Sequence, residues 1–276
     1  THAHLKVPAE AKLVVAQGSL AFKYVTDDAL RESNGKPSSV TDWRGHNLPI
    51  DLEGRQVLQV LHLADIFRDP KQYWIAEQDW KRVDAHRRGR YPLPIPAYIE
   101  GSEENWDDAF TWFAAARRSG RPIVCDTEFI PDTGYLTVVG LGYRDVDGVV
   151  RGLQFDLRGR PALSVQVGWQ LKELVKTNPF VFHNAMADVL ILEKNLGIHY
   201  DDYRSIEDTM LAHAVLCGEL PHTLVFAASI YSDYPRLKHL ASEDLLLYNW
   251  GDVIATLFVF EALIEDFHYD RLAEGV

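Results

Sequence analysis

"RPIVCDTEFIP", residues 121–131, decides how the rest of this chain is read. Ile123 to Cys125 is an apolar run suited to a buried strand, yet it gives way to Asp126, Thr127 and Glu128. Asp and Glu are poor strand formers, so two of them here need a reason. Side chains alternate along a strand, which puts Asp126 and Glu128 on one face and Cys125 and Thr127 on the other. A solvated edge would explain such a pair standing alone. Two more acids in equally odd settings shift the balance.

Asp188 ends "FVFHNAMAD", where a strand-like run gives way to a helical one, with Asn184 four residues before it. Helix N-terminal capping suits an Asp there with or without chemistry. Asp252 lies in "LLLYNWGDVIATLFVF", a helix too apolar to keep a wide wet face. Tyr248 is four residues earlier, on the same side. An unpaired buried carboxylate is costly, and cations would supply its partners. Four carboxylates converging on hard divalent ions, Mg²⁺ or Mn²⁺, are what two-metal phosphodiester hydrolysis requires. The poor supply of paired Cys and His argues against zinc.

"CDTEF", "HNAMAD" and "YNWGD", in that order, resemble the three exonuclease motifs of the DEDD superfamily. With the intervening "DTMLAHAVLCGELPHTLVFAASIY", residues 105–270 resemble the proofreading 3′–5′ exonuclease domain of family A DNA polymerases. The resemblance implies a ribonuclease H-like α/β fold, a mixed sheet with flanking helices. It also implies two divalent metal ions, a single-stranded or frayed DNA 3′ end as partner, and a polymerase domain following in the full-length protein. By the same resemblance Asp126 would bridge both metals, Glu128 and Asp252 would complete the tighter site, and Asp188 would hold the second ion through water. Tyr248 would orient the attacking water. A phenol of ordinary pKa near 10 is a poor base near neutrality, so positioning is its role. A related branch has a histidine five residues before the last Asp; Leu247 stands there, which selects the tyrosine branch. Asn184 and Asp208 match supporting positions. Phe129 and Leu136 could wedge against terminal bases or be ordinary core. Lys238 and His239 could meet phosphate or sit in a solvated loop. Two rivals remain at this stage: an exoribonuclease of the ribonuclease D type, and a non-catalytic nucleic-acid-binding scaffold.

The 276 residues carry 28 basic and 40 acidic side chains, a formal net charge of -12. That disfavours a general nucleic-acid coat protein, whose binding rests on Lys and Arg, but not an enzyme that meets phosphate through metal ions. Cys125 and Cys217 are too few for a disulfide framework and read as reduced thiols of a cytoplasmic protein, in a bacterial, phage or host-cell interior. No apolar run approaches the length of a membrane span, and the start, "THAHLKVPAEAK", has no initiator Met, so a fragment or processed product is expected.

Three domain segments are expected: a small α/β module at 1–93, a proline-punctuated linker at 94–104, and the exonuclease at 105–276. Residues 12–17 read as a strand followed by a helix from Gly18, 27–48 as a long loop, 55–65 as a strand, and "PKQYWIAEQDWKRVDAHRRG" as the start of a helix. Runs 121–129, 135–144 and 149–157 read as an antiparallel meander, and "SIEDTMLAHAVLCG" as a helix. The first hundred residues resemble the second half of a uracil-DNA glycosylase superfamily domain. His62-Leu63-Ala64-Asp65 stands where that family has His-Pro-Ser, and the family's first half has no counterpart, so no base excision is expected. Lys81, Arg82, Arg87, Arg88 and Arg90 form a basic cluster that could touch DNA backbone or simply face water.

Overall fold

The computed structural model describes residues 7–8, 10–26, 30 and 38–273. Two compact units emerge: one runs to Ile95 and takes in Val225–Ser242, and the other comprises Pro96–Leu224 and the chain from Glu243. The segment 225–242, expected within the exonuclease, thus packs with the first unit.

In the first unit β1 (Leu13–Gln17), α1 (Gly18–Thr26), α2 (Val40–Trp43), β2 (Gln56–Val60), α3 (Leu63–Arg68) and α4 (Gln72–Arg87) follow in order. β1 and β2 pair in parallel, Leu13 against Gln56. The strand expected over 55–65 stops at Val60, because the His62 side chain accepts from the Ala64 amide and caps α3. The loop expected over 27–48 carries α2 at its end; residues 27–29 and 31–37 lie outside the described residues.

Arg82 is the main departure from the sequence reading in this unit. It is 3 % exposed and donates to the Ala228 carbonyl at 3.0 Å, the Ser232 carbonyl at 2.6 Å and the Ser229 carbonyl. Arg44 bonds the buried Asp79 at 2.6 Å, and Asp79 also accepts from the Leu61 amide. Buried charges persist only when paired, and these pairs tie 225–242 to α4. Around them, Lys81 pairs with Glu77, and Arg87 and Arg88 share Asp84. Of the expected basic cluster, Arg82 is structural, Lys81, Arg87 and Arg88 are engaged by neighbouring acids, and Arg90 is exposed.

The second unit holds β3 (Tyr98–Gly101), α5 (Trp106–Ser119), β4 (Ile123–Ile130), β5 (Tyr135–Arg144), β6 (Val150–Asp156) and α6 (Pro161–Thr177). β7 (Phe180–Phe182), α7 (Ala185–Leu196), β8 (Ile206–Asp208) and α8 (Thr209–Leu216) follow; α9 (Leu224–Tyr231), which from Val225 belongs to the first unit, precedes α10 (Leu245–Ala273). The sheet order is β3-β6-β5-β4-β7-β8. β4, β5 and β6 form the expected antiparallel meander, while β7 and β8 add in parallel beyond β4. This is the mixed sheet of a ribonuclease H-like fold. Two details differ from expectation. The presumed linker contains β3, a parallel edge strand on β6, and "IED" is a strand before the helix rather than part of it.

Strand alternation divides the sheet's side chains between two layers. Ile123, Cys125, Leu141, Leu153 and Phe155 join Phe113, Leu171 and Leu192 in one apolar core beneath α5, α6 and α7. α10 covers the other face through Trp250 and Val253. Gly142 and Gly152 make this approach possible, since a Cβ at Gly142 would lie 2.7 Å from Val253 Cγ1 and one at Gly152 would enter the Trp250 ring. The stretch Leu245–Asp266 is 22 residues long with a mean hydropathy of 1.3, long and apolar enough to cross a membrane. Its cover of the sheet accounts for that composition.

Candidate active site

β4 brings the first two acids to the α10 face, as the alternation predicts. Its register against β5 shifts between Glu128 and Phe129, a bulge of the kind that re-aims side chains beside functional sites. α10 supplies Tyr248, Asn249 and Asp252 within about one turn. Carboxylate oxygens of Asp126, Glu128 and Asp252 lie within 4.8 Å of one another, the single such group of ligating side chains among the described residues.

Asp188 enters differently. It stands in the first turn of α7, on the opposite layer, and Thr127 reaches it from the other face of β4. The Thr127 amide and hydroxyl both donate to Asp188 Oδ1, at 2.9 and 2.6 Å. The sequence thus named four acids; three gather tightly, and the fourth is held by the residue between the first two. Thr127 drew no notice in the sequence because its apolar-side position looked merely structural.

Electrostatics mark the group as unsettled without a cation. Burial, then the charges of Asp188, Asp252 and Glu128, holds the Asp126 carboxyl well above the usual carboxylate range. Burial pushes Asp188 up to about 6, against the opposing hydrogen bonds from Thr127. Such clusters of acids shifted by burial and like charge are characteristic of functional sites. Burial, then the charges of Asp252 and Glu128, raises the Tyr248 phenol, which hydrogen-bonds Asp252. A phenol held protonated can orient water but cannot take its proton.

The other expected residues sort as follows. Asp208 caps two helices, accepting from Met210 and Leu211 in α8 and from Asn184 and Ala185 in α7. Asn184 stands at φ 71, the left-handed residue that turns β7 into α7, and its own side chain is exposed. Leu136 is 3 % exposed inside the core, so it is not presented to a base as it stands; Phe129 is half-buried against the same core. Lys238 opens the 3-10 turn Lys238–Leu240, and its side chain lies outside the described residues. A cavity of about 740 Å³ lined by Tyr135, Trp169 and Asn195 includes none of Asp126, Glu128, Asp188 and Asp252.

Asn249 is a second residue the sequence reading missed. It is fully buried, and its Nδ2 donates to Asp126 Oδ2 at 2.6 Å. The donor set as a whole, clustered carboxylates with one oriented by an amide, fits a hard divalent cation that prefers oxygen.

No protein-family model matches the chain, and no curated protein matches it. In three dimensions it is similar to Trypanosoma brucei RNase D in complex with RNA U12, at 18% identity and a TM-score of 0.48, over 65% of this chain and 66% of that one. It is also similar to the RNase domain of the yeast Pop2 protein, at 13% identity and a TM-score of 0.45, over 64% of this chain and 90% of that one. Brucella melitensis NrnC with bound Mg²⁺ is similar at 18% identity and a TM-score of 0.41, over 54% of this chain and 74% of that one.

Proposed function

We propose that the second unit is a metal-dependent 3′–5′ exonuclease that hydrolyses the terminal phosphodiester of DNA. The observation that carries the reading is the convergence of Asp126, Glu128 and Asp252 within 4.8 Å, beside a Tyr248 phenol bonded to Asp252. Asp126, Glu128 and Asp252 would hold one divalent ion, with Asp126 and Asp188 turned toward a second. Bound ions would neutralise charge on the scissile phosphate and supply an activated water. The chain's own contributions are to hold the carboxylates in place, to fix Asp188 through Thr127, and to orient the attacking water through the Tyr248 hydroxyl. Proofreading, with a polymerase domain in the same polypeptide, is the setting favoured by the order and spacing of the three motifs.

The test is digestion of 5′-labelled single-stranded DNA and RNA of one sequence by the purified chain in Mg²⁺. A ladder shortening from the 3′ end, faster on DNA, is expected. Faster digestion of RNA would favour a ribonuclease D-type activity. Binding without cleavage in either Mg²⁺ or Mn²⁺ would favour a scaffold.

A further inference from the structure

We propose that Asn249, seated over Gly140 beside Gln154, is a positioning residue that fixes the rotation of the Asp126 carboxylate for metal binding. The inference rests on the metal-site reading above and adds to it a device that spans three strands and a helix. Asp126 faces Gly140 in the β4–β5 register, and Gly140 faces Gln154 in the β5–β6 register. The three positions form one row across the sheet, beneath α10. The φ of Gly140 is not positive, so its backbone does not demand glycine; the space above it does. A Cβ there would fall on Asn249 Oδ1 and lie 2.5 Å from Gln154 Nε2.

Both amides are fully buried. Asn249 spends its Nδ2 on Asp126, while its Oδ1 and both amide atoms of Gln154 make no hydrogen bond. Buried amides with unmade bonds cost stability, and leucine would pack more favourably at either place. Their retention points to work done on Asp126. A carboxylate joined to a strand through one carbon turns freely unless a donor holds one oxygen. Partners of this kind typically govern metal affinity by about 10–100-fold. Gln154 Nε2 borders the same space above Gly140 as Asn249 Oδ1.

The experiment is titration calorimetry of the full chain with Mn²⁺, alongside thermal unfolding and steady-state kinetics on a single-stranded oligonucleotide. Asn249→Leu keeps the branched shape, with greater bulk, and removes the donor. It should unfold near the wild-type temperature, bind Mn²⁺ about 10–100-fold more weakly, and lose kcat while keeping KM. Gly140→Ala should produce the same loss by pushing the amide aside. Gly140→Ala combined with Asn249→Ala should bind Mn²⁺ no more weakly than Asn249→Ala alone, because truncation removes the nearest clash, the one with Asn249 Oδ1, and leaves only those with Gln154 Nε2 and Val253 Cγ2. Wild-type Mn²⁺ affinity in a folded Asn249→Leu overturns the proposal and leaves the nuclease reading intact. Should Asn249→Leu fail to fold, unchanged Mn²⁺ affinity in Gly140→Ala overturns it instead. Absence of Mn²⁺ binding by the wild type would remove the metal-site reading and this inference together.

Discussion

Asp126 is where the competing forces are most visible, because burial and three neighbouring acids all oppose its ionised form. Replacing it with alanine should abolish hydrolysis, since it is the carboxylate assigned to both ions. Tyr248→Phe should instead retain measurable activity, about 10²–10³-fold below wild type, the usual loss when one orienting group leaves a preorganised site. Product release by both variants under matched Mg²⁺ checks this. Asp188 gives a pH prediction with a definite sign. Its folded-state pKa of about 6 lies above the ordinary 3.8, so the folded state binds that proton more tightly than the unfolded chain. The resulting stabilisation of metal-free protein is complete below the ordinary value and is lost as pH rises through about 6. In EDTA the calorimetric Tm advantage of wild type over Asp188→Asn should therefore be greater at pH 5 than at pH 7, a comparison in which His46, His183 and His213, whose pKa values burial lowers, cancel. An advantage that grows across that interval would contradict the burial assigned to Asp188. At this scale the sequence was informative wherever a residue type was wrong for its element, as with acids in a strand. Asn249 and Thr127 suit their elements and matter through partners far along the chain, so no local pattern exposes them.

Elements were legible where their period was long and their edges chemically marked. The β4–β6 meander and α6 could be read directly, but β8 has three residues and runs straight into a helix whose apolar pattern swallowed it. Arg82 was misread for a related reason: it sits among true surface cations on α4, and only the fold brings the carbonyls of α9 to it. Arg82→Ala should destabilise the first unit by about 1–3 kcal/mol for each buried carbonyl left without a donor. Lys81→Ala and Arg88→Ala should each change stability by less than about 1 kcal/mol, as exposed pairs do. Urea unfolding of the three variants decides it, and equal midpoints would return Arg82 to the surface. Gly152→Ala, pressing a methyl group into Trp250, should cost about 1–3 kcal/mol as overpacking does.

For the whole molecule, a net charge of -12 leaves little long-range attraction for nucleic acid. With Arg82 buried and Arg87 and Arg88 engaged by Asp84, the first unit offers no obvious phosphate track through α4. Binding should therefore concentrate on terminal nucleotides and depend steeply on divalent ions. In an Asp188→Ala background with Ca²⁺, log affinity should fall gently with log salt; a slope matching about eight or more phosphates would contradict end binding. The most direct test of the central claim is mononucleotide release from a 3′-labelled single-stranded DNA, followed with Mg²⁺ and again in excess EDTA. The clustered acids predict rapid release with Mg²⁺ and none in EDTA. Full release in EDTA would show that these carboxylates do not act by holding metal.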